Sequence, residues 1–232
     1  MANLEHRFEK PLPIVPTALY GFRAIQARAG NAPRVALSLS SLSETGFTLS
    51  LKSFLHQASN TEAKVLVLPN GKTPFQHDFV DASDHPGGRA PRQNATIKVN
   101  FEKPFKTPPK ICAWFTKLFI PNGHRSIWIW IENITSDGMT IHIDTWSDRE
   151  LDAARVAWLA WPAEFDGKTV RANHDSVFNP KAFGAINHID LPVEENIDIF
   201  AKTEWATKNS LRWHAGAETP FVKIGMCWIG IE

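Results

Sequence analysis

The chain has 232 residues, of which 43% are hydrophobic and 21% charged, and its formal net charge is +1. That length allows one or two domains of about 100–200 residues each, and the composition excludes disorder over most of the chain. The near-neutral balance lacks the electrostatic footprint of a nucleic-acid or anionic-membrane binder, and no stretch approaches the roughly 20 apolar residues of a membrane-spanning helix.

The N-terminus, MANLEHRFEKPLP, has neither an apolar core nor a small-residue cleavage site, so it does not read as a secretory signal. Two cysteines, Cys112 and Cys227, are too few for a disulfide framework. As a full-length product the chain is expected in the cytoplasm with both thiols reduced. As a domain trimmed from a larger exported protein it would sit elsewhere, and the sequons at Asn94 and Asn133 would then matter. Nine Trp and fifteen Phe stand against one Tyr. Trp joins a flat apolar face to one N–H donor, which suits stacking on sugar faces and equally suits a thick β-sandwich core.

In chain order, the first element pattern recurs. Phe8-Glu-Lys-Pro11 returns unchanged as Phe101-Glu-Lys-Pro104, and Ser43-Glu-Thr-Gly46-Phe-Thr-Leu-Ser-Leu51 parallels Thr135-Ser-Asp-Gly138-Met-Thr-Ile-His-Ile143. Ala63-Lys-Val-Leu-Val-Leu68 closes the first copy as Ala154-Arg-Val-Ala-Trp-Leu159 closes the second. A more worn third copy sets Asn179–Ile186 over Pro108–Phe115, Ser210–Trp213 over Thr140–Ile143, and Met226-Cys-Trp228-Ile over Val156-Ala-Trp158-Leu. The copies span residues 7–69, 94–162 and 166–232, and 70–93 reads as a linker loop with scattered Pro, Gly and Asp.

Within each copy the period is two. Ile127-Trp-Ile-Trp-Ile131 has strand character, and Thr140-Ile-His-Ile-Asp144 alternates cleanly. Asp137-Gly138 between them is a hairpin signal, because Gly reaches positive φ cheaply. No segment reads as a convincing helix. The expected fold class is all-β: three tandem six-stranded antiparallel sandwiches.

Catalytic and metal chemistry find no motif. No His pair has helical zinc spacing and there is no CxxC. Nucleophile-elbow, phosphate-loop and dinucleotide patterns are missing too. Asp144, Asp148 and Asp152 are spaced by four, but on strands and loops that spacing does not set two carboxylates across a cleft. They read as a solvated acidic loop. The expectation is a non-enzyme with no cofactor.

The second copy resembles the H-type lectin domain, the family of snail agglutinins and of the C-terminal half of discoidins. The likeness rests on the Pro108-Pro109 pair, the Asp137-Gly138-Met turn, Thr145-Trp146-Ser-Asp148 and the closing Val156-Ala-Trp158-Leu159. It implies six-stranded sandwiches assembled as trimers, with galactose- or N-acetylgalactosamine-type glycans as partners at the seams. Three copies in one chain then form a single-chain pseudo-trimer, whose further oligomerisation is left open. An alternative is the same fold without sugar binding, serving as a protein-interaction or assembly module.

The family site combines a strand-end Trp, the polar residue after it, a Tyr six positions beyond the Trp, an Arg on an earlier strand and an acidic residue in the N-terminal loop. An aromatic face stacks on the sugar's C–H patch while charged groups bind hydroxyls. In copy two the resemblance assigns Trp146, Ser147 and Asp148; the Tyr position holds Asp152, and the Arg position holds Ser126, beside Arg125. Copy one supplies Arg34 but has Phe54 for the Trp; copy three has Asn196 and Gly216 at those positions. Asp84 or Asp166 supplies the acidic member. Because family sites straddle seams, Arg34 is expected to face Trp146. Trp158 and Trp228 read as core residues in phase with apolar neighbours.

Overall fold

The computed structural model describes residues 2–27, 34–53, 58–68, 74–82, 94–120, 125–145, 151–164, 170–172, 183–191, 197–207, 210–217 and 223–231. These residues form sixteen strands and no helix. They are β1 (Ala2–Arg7), β2 (Thr17–Ala27), β3 (Arg34–Ser40), β4 (Gly46–Ser53), β5 (Ala58–Leu68) and β6 (Gln76–Asp81). Next come β7 (Asn94–Asn100), β8 (Lys110–Phe119), β9 (Arg125–Glu132), β10 (Gly138–Thr145), β11 (Ala153–Trp161) and β12 (Val170–Ala172). Last are β13 (Phe183–Leu191), β14 (Ile197–Thr207), β15 (Ser210–Ala217) and β16 (Lys223–Ile231).

Three antiparallel sheets result, in the orders β1-β4-β3-β8-β11-β6, β7-β10-β9-β13-β16-β12 and β15-β14-β2-β5. One device recurs at three junctions. Arg23 is skipped where β2 pairs β5, Thr116 where β8 pairs β11, and Asn187 where β13 pairs β16. A bulge bends its strand and sharpens the twist. Beyond each one, the strand runs alongside a strand from another part of the chain. Ala24–Ala27 pairs Ile197–Phe200, Lys117–Phe119 pairs Arg34–Ala36, and His188–Leu191 pairs Arg125–Trp128.

Before the bulges, β8 and β11 are buried on both sides. Ala113, Phe115, Val156 and Trp158 face a large core with Phe22, Ile127 and Ile141. Cys112, Trp114, Ala157 and Leu159 face a smaller one with Leu19 and Phe183. That two-sided burial explains why these strands lack polar alternation. At the centre of the smaller core Trp114 is fully buried and donates Nε1–H to the Tyr20 carbonyl at 2.8 Å. Gly21 leaves the space: a Cβ there would lie 2.4 Å from Trp114 Cδ1 and 2.7 Å from Ala185 Cβ.

The two stretches that follow the repeated Phe-Glu-Lys-Pro have matching turns. Phe8 N–H donates to the Thr45 carbonyl at 2.9 Å, and Phe101 N–H to that of Asp137 at 2.8 Å. Ser43 N–H reaches the Gly46 carbonyl and Thr135 N–H that of Gly138, both at 2.9 Å. In these turns the left-handed residues are Ser41 (φ 52°) and Asn133 (φ 50°), not Gly46 and Gly138. Gly138 is needed for another reason: a Cβ there would lie 2.3 Å from the Val99 carbonyl oxygen.

Two boundaries differ from the expectation. β1 starts ahead of residue 7, pairing with β4 from Ala2↔Leu51 to Arg7↔Gly46. The stretch expected as a linker loop contains β6, which pairs β11 from Gln76↔Ala160 to Asp81↔Arg155. Val80 is buried there and the Phe79 ring lies 5.3 Å from that of Tyr20, so two apolar side chains anchor a polar stretch onto an open strand edge. Trp158 is buried and lies 5.9 Å from the Phe101 ring; the Trp228 side chain lies outside what is described.

Candidate functional site

The seam between β3 and β8 gathers the charges. Pairing runs Arg34↔Phe119, Val35↔Leu118, Ala36↔Lys117. Alternation buries Val35 and Leu118 and leaves Arg34, Ala36, Lys117 and Phe119 on the other side. The Arg34 guanidinium reaches Asp152, just ahead of β11, in a direct ion pair across the seam. It also lies 5.9 Å from the centre of the Phe119 ring, with Lys117 Nζ at 5.2 Å. Side-chain exposures of 37% for Arg34 and 26% for Asp152 leave the pair reachable by a ligand.

Behind it a second network fixes the seam. Asp81 Oδ2 accepts from Arg155 Nε at 2.7 Å and meets Arg155 Nη2 at 2.7 Å, while Lys117 Nζ lies 3.6 Å from Asp81 Oδ1. Thr116 Oγ1 donates to the Arg155 carbonyl at 3.3 Å. Arg155 also hydrogen-bonds the phenol of Tyr20, the sole tyrosine of the chain. Burial pushes that phenol above the usual tyrosine range, against the opposing pull of Arg155. The bulge at Thr116 thus sits between two fixed charges, Arg155 and Lys117. A site built on β3, β8 and the start of β11 rests on rigid strands, which suits oriented hydrogen bonding.

Of the residues assigned from the sequence, Arg34 stands at this seam. Asp152, which the sequence offered as the occupant of the Tyr position and as part of an acidic loop, is its partner. Trp146, Ser147, Asp148 and Asp84 lie outside the described residues. Arg125 opens β9, its backbone opposite Leu191, and its side chain lies outside what is described. The reading of Asp144 and Asp152 as one solvated acidic loop does not hold. Asp144 is a strand residue bonded to Trp130, and Asp152 is ion-paired. Sequence reasoning missed Lys117, Asp81 and Arg155. The only signal for the last was a charge in the closing strand of an otherwise apolar unit.

No curated protein matches the chain. Two structures of discoidin II from Dictyostelium discoideum, one of the native recombinant protein and one of the wild type, are each 14% identical with a TM-score of 0.30. The matches cover 61% and 62% of this chain and 72% of each discoidin chain. Residues 96–161, from within β7 to the end of β11, match the model of the H-type lectin domain, and Asp152 falls inside the matched stretch.

Proposed function

We propose that the protein is a non-enzymatic lectin whose three copies close into a single-chain pseudo-trimer and bind galactose- or N-acetylgalactosamine-type glycans at the seam between the first two copies. The observation that carries this reading is the Arg34–Asp152 pair. Its two members come from different copies, at the positions where the family resemblance sets its Arg and its Tyr. A closed ring is supported by the three junctions β3–β8, β9–β13 and β14–β2, each following an equivalent bulge. Covalent closure removes the association entropy of assembling such a ring from separate chains.

The chemistry suits a diol. Arg34 supplies planar N–H donors and Asp152 acceptor oxygens, so neighbouring hydroxyls can bridge the two. Galactose-type sugars carry an axial 4-hydroxyl beside an equatorial 3-hydroxyl on one edge. In this reading Trp146 and Ser147 continue the site beyond the end of β10, with Trp146 stacking on the sugar's C–H face. Asp148, Arg125 and Asp84 remain its further candidate members, and the compartment is the cytoplasm.

A glycan array with free N-acetylgalactosamine as competitor tests the proposal. Terminal galactose-type sugars should bind, be displaced by the monosaccharide, and be lost in Arg34→Ala and Trp146→Ala. Silence across the array from a folded, β-rich protein would reject the lectin reading and leave the interaction module.

A further inference from the structure

The outer face of the second sheet carries a cluster that neither the seam nor the cores use. Alternation sets Trp128, Trp130 and Glu132 of β9 on the side opposite the buried Ile127, with His142 and Asp144 of β10 beside them. Register puts Trp130 across from His142 and Trp128 across from Asp144. The Trp130 and His142 rings lie 3.7 Å apart and 6° from parallel. Trp130 Nε1–H donates to Asp144 Oδ2 at 2.5 Å. Both imidazole nitrogens are engaged: Nε2 lies 3.0 Å from Glu132 Oε1 and Nδ1 lies 3.2 Å from Thr96 Oγ1.

These bonds hold the imidazole upright against one face of the indole. The other face looks along the sheet toward β13. There the β9–β13 pairing stops at Trp128 opposite His188, and the bulge at Asn187 turns the rest of β13 away. Trp130 is accordingly 39% exposed although its ring is fixed on one face and at its N–H.

The fold does not require this cluster. The first sheet repeats the register with Ser38 across from Ser50 and Ala36 across from Lys52. Ser50 Oγ donates to Asn3 Oδ1 where the second sheet has the His142–Thr96 contact. Small polar side chains satisfy the same backbone. An oriented Trp–His stack with two carboxylates is therefore an addition, and its chemistry indicates a ligand.

An indole face attracts cations through its quadrupole and also packs on sugar C–H groups. Donation from Nε1–H to a carboxylate makes the ring more electron-rich. Asp144 and Glu132 add negative charge, while Lys98 stands two strands from Glu132, beyond Thr140. Among the described residues no three His, Cys, Asp or Glu side chains converge to hold a metal ion, whereas an indole face beside a carboxylate is the pairing that suits an organic ammonium.

We propose that this face binds a hexosamine residue with a free, protonated amine, stacked on Trp130 with its ammonium set against Asp144. The choice of a sugar as the carrier rests on the lectin reading above; the ammonium chemistry stands on these side chains alone.

Calorimetric titration with a glucosamine oligosaccharide, its fully N-acetylated form and choline tests this. The free-amine oligosaccharide should bind, and N-acetylation should weaken binding roughly tenfold or more. Trp130→Ala and Asp144→Asn should each cost about tenfold, Trp130→Phe should keep most of the affinity, and Arg34→Ala, which removes the proposed galactose contact, should leave this amine binding in place. Equal affinity for the acetylated oligosaccharide would overturn the role of the amine. Choline binding as tightly as the oligosaccharide would overturn the sugar assignment. Binding lost in Arg34→Ala but kept in Trp130→Ala would overturn the location. If the seam binds no galactose-type sugar while Trp130-dependent amine binding persists, only the seam reading fails.

Discussion

Gly21→Ala adds one methyl group at the most crowded point of the molecule. Gly21 sits within β2 with no left-handed backbone requirement, so only packing decides the sign. The new Cβ would stand 2.4 Å from Trp114 Cδ1, 2.8 Å from Trp114 Nε1 and 2.7 Å from Ala185 Cβ. The indole must therefore retreat by about 1 Å to reach ordinary contact. It has little room, being fully buried with its ring centre 4.9 Å from that of Phe183. Overpacking costs about 1–3 kcal/mol, and displacement strains the Trp114–Tyr20 hydrogen bond, worth about 1 kcal/mol. The expected loss is about 3 kcal/mol, or a Tm lower by roughly 6–12 °C in a chain of this size. Urea and thermal unfolding read it directly. Trp114→Phe should itself destabilise, yet Gly21→Ala should cost less in that background, with a coupling of at least about 1 kcal/mol. A Gly21→Ala loss within about 0.5 kcal/mol, or strictly additive losses, would refute the packing of Gly21 against Trp114.

Three further outcomes are expected. Tyr20 is held neutral by burial, so its stabilisation is complete below the unfolded tyrosine pKa of about 10 and lost as pH rises through the higher folded value. Phenolate absorbance from this sole tyrosine should therefore lag a free-tyrosine curve in alkaline titration, and a curve that matches free tyrosine would contradict its burial. Asp81→Asn removes the charged partner of Arg155 and Lys117 and should lower stability by about 2 kcal/mol in urea unfolding, whereas Lys117→Met should cost less than about 1 kcal/mol. If only the first seam binds sugar, calorimetry should give one galactose-type site per chain, and a monomeric chain should not agglutinate cells; a stoichiometry of three would sink that assignment.

The strand pattern was legible because its cause is local. The run from Ile127 to Ile131 and that from Thr140 to Asp144 alternate in sequence as they do in the sheet. The same alternation already put Trp128 and Trp130 on one face, but nothing in it identified His142 as the stacking partner. That needs the register between β9 and β10. The bulges were not legible at all: Arg23, Thr116 and Asn187 share no side-chain chemistry, and their common role shows only in strand pairing. β6 was hidden for a related reason. Its polar stretch becomes a strand because β11 offers an open edge and Asp81 finds Arg155 there. Arg34 and Asp152 are 118 positions apart, and only the β3–β8 junction brings them together.

Gly21, Trp114 and Ala185 occupy matching positions relative to the three bulges, one residue before Phe22, Phe115 and Ile186, the last residues ahead of each one. Three identical chains around an axis must use one residue there, and three indoles would collide as surely as three glycines would leave a void. Gly21 and Ala185 instead make room for a single Trp114, which on the proposed pseudo-trimer reading is a solution open to linked copies of different sequence. The seams follow the same logic. On the same reading Arg34, Ser126 and Asn196 occupy the matching Arg positions, and a ring that gains packing by becoming asymmetric at its centre would also be free to keep one charged seam and lose the others. On the proposed reading, the chain would exchange the avidity of three equal sites for one specialised site and a separate aromatic face around Trp130.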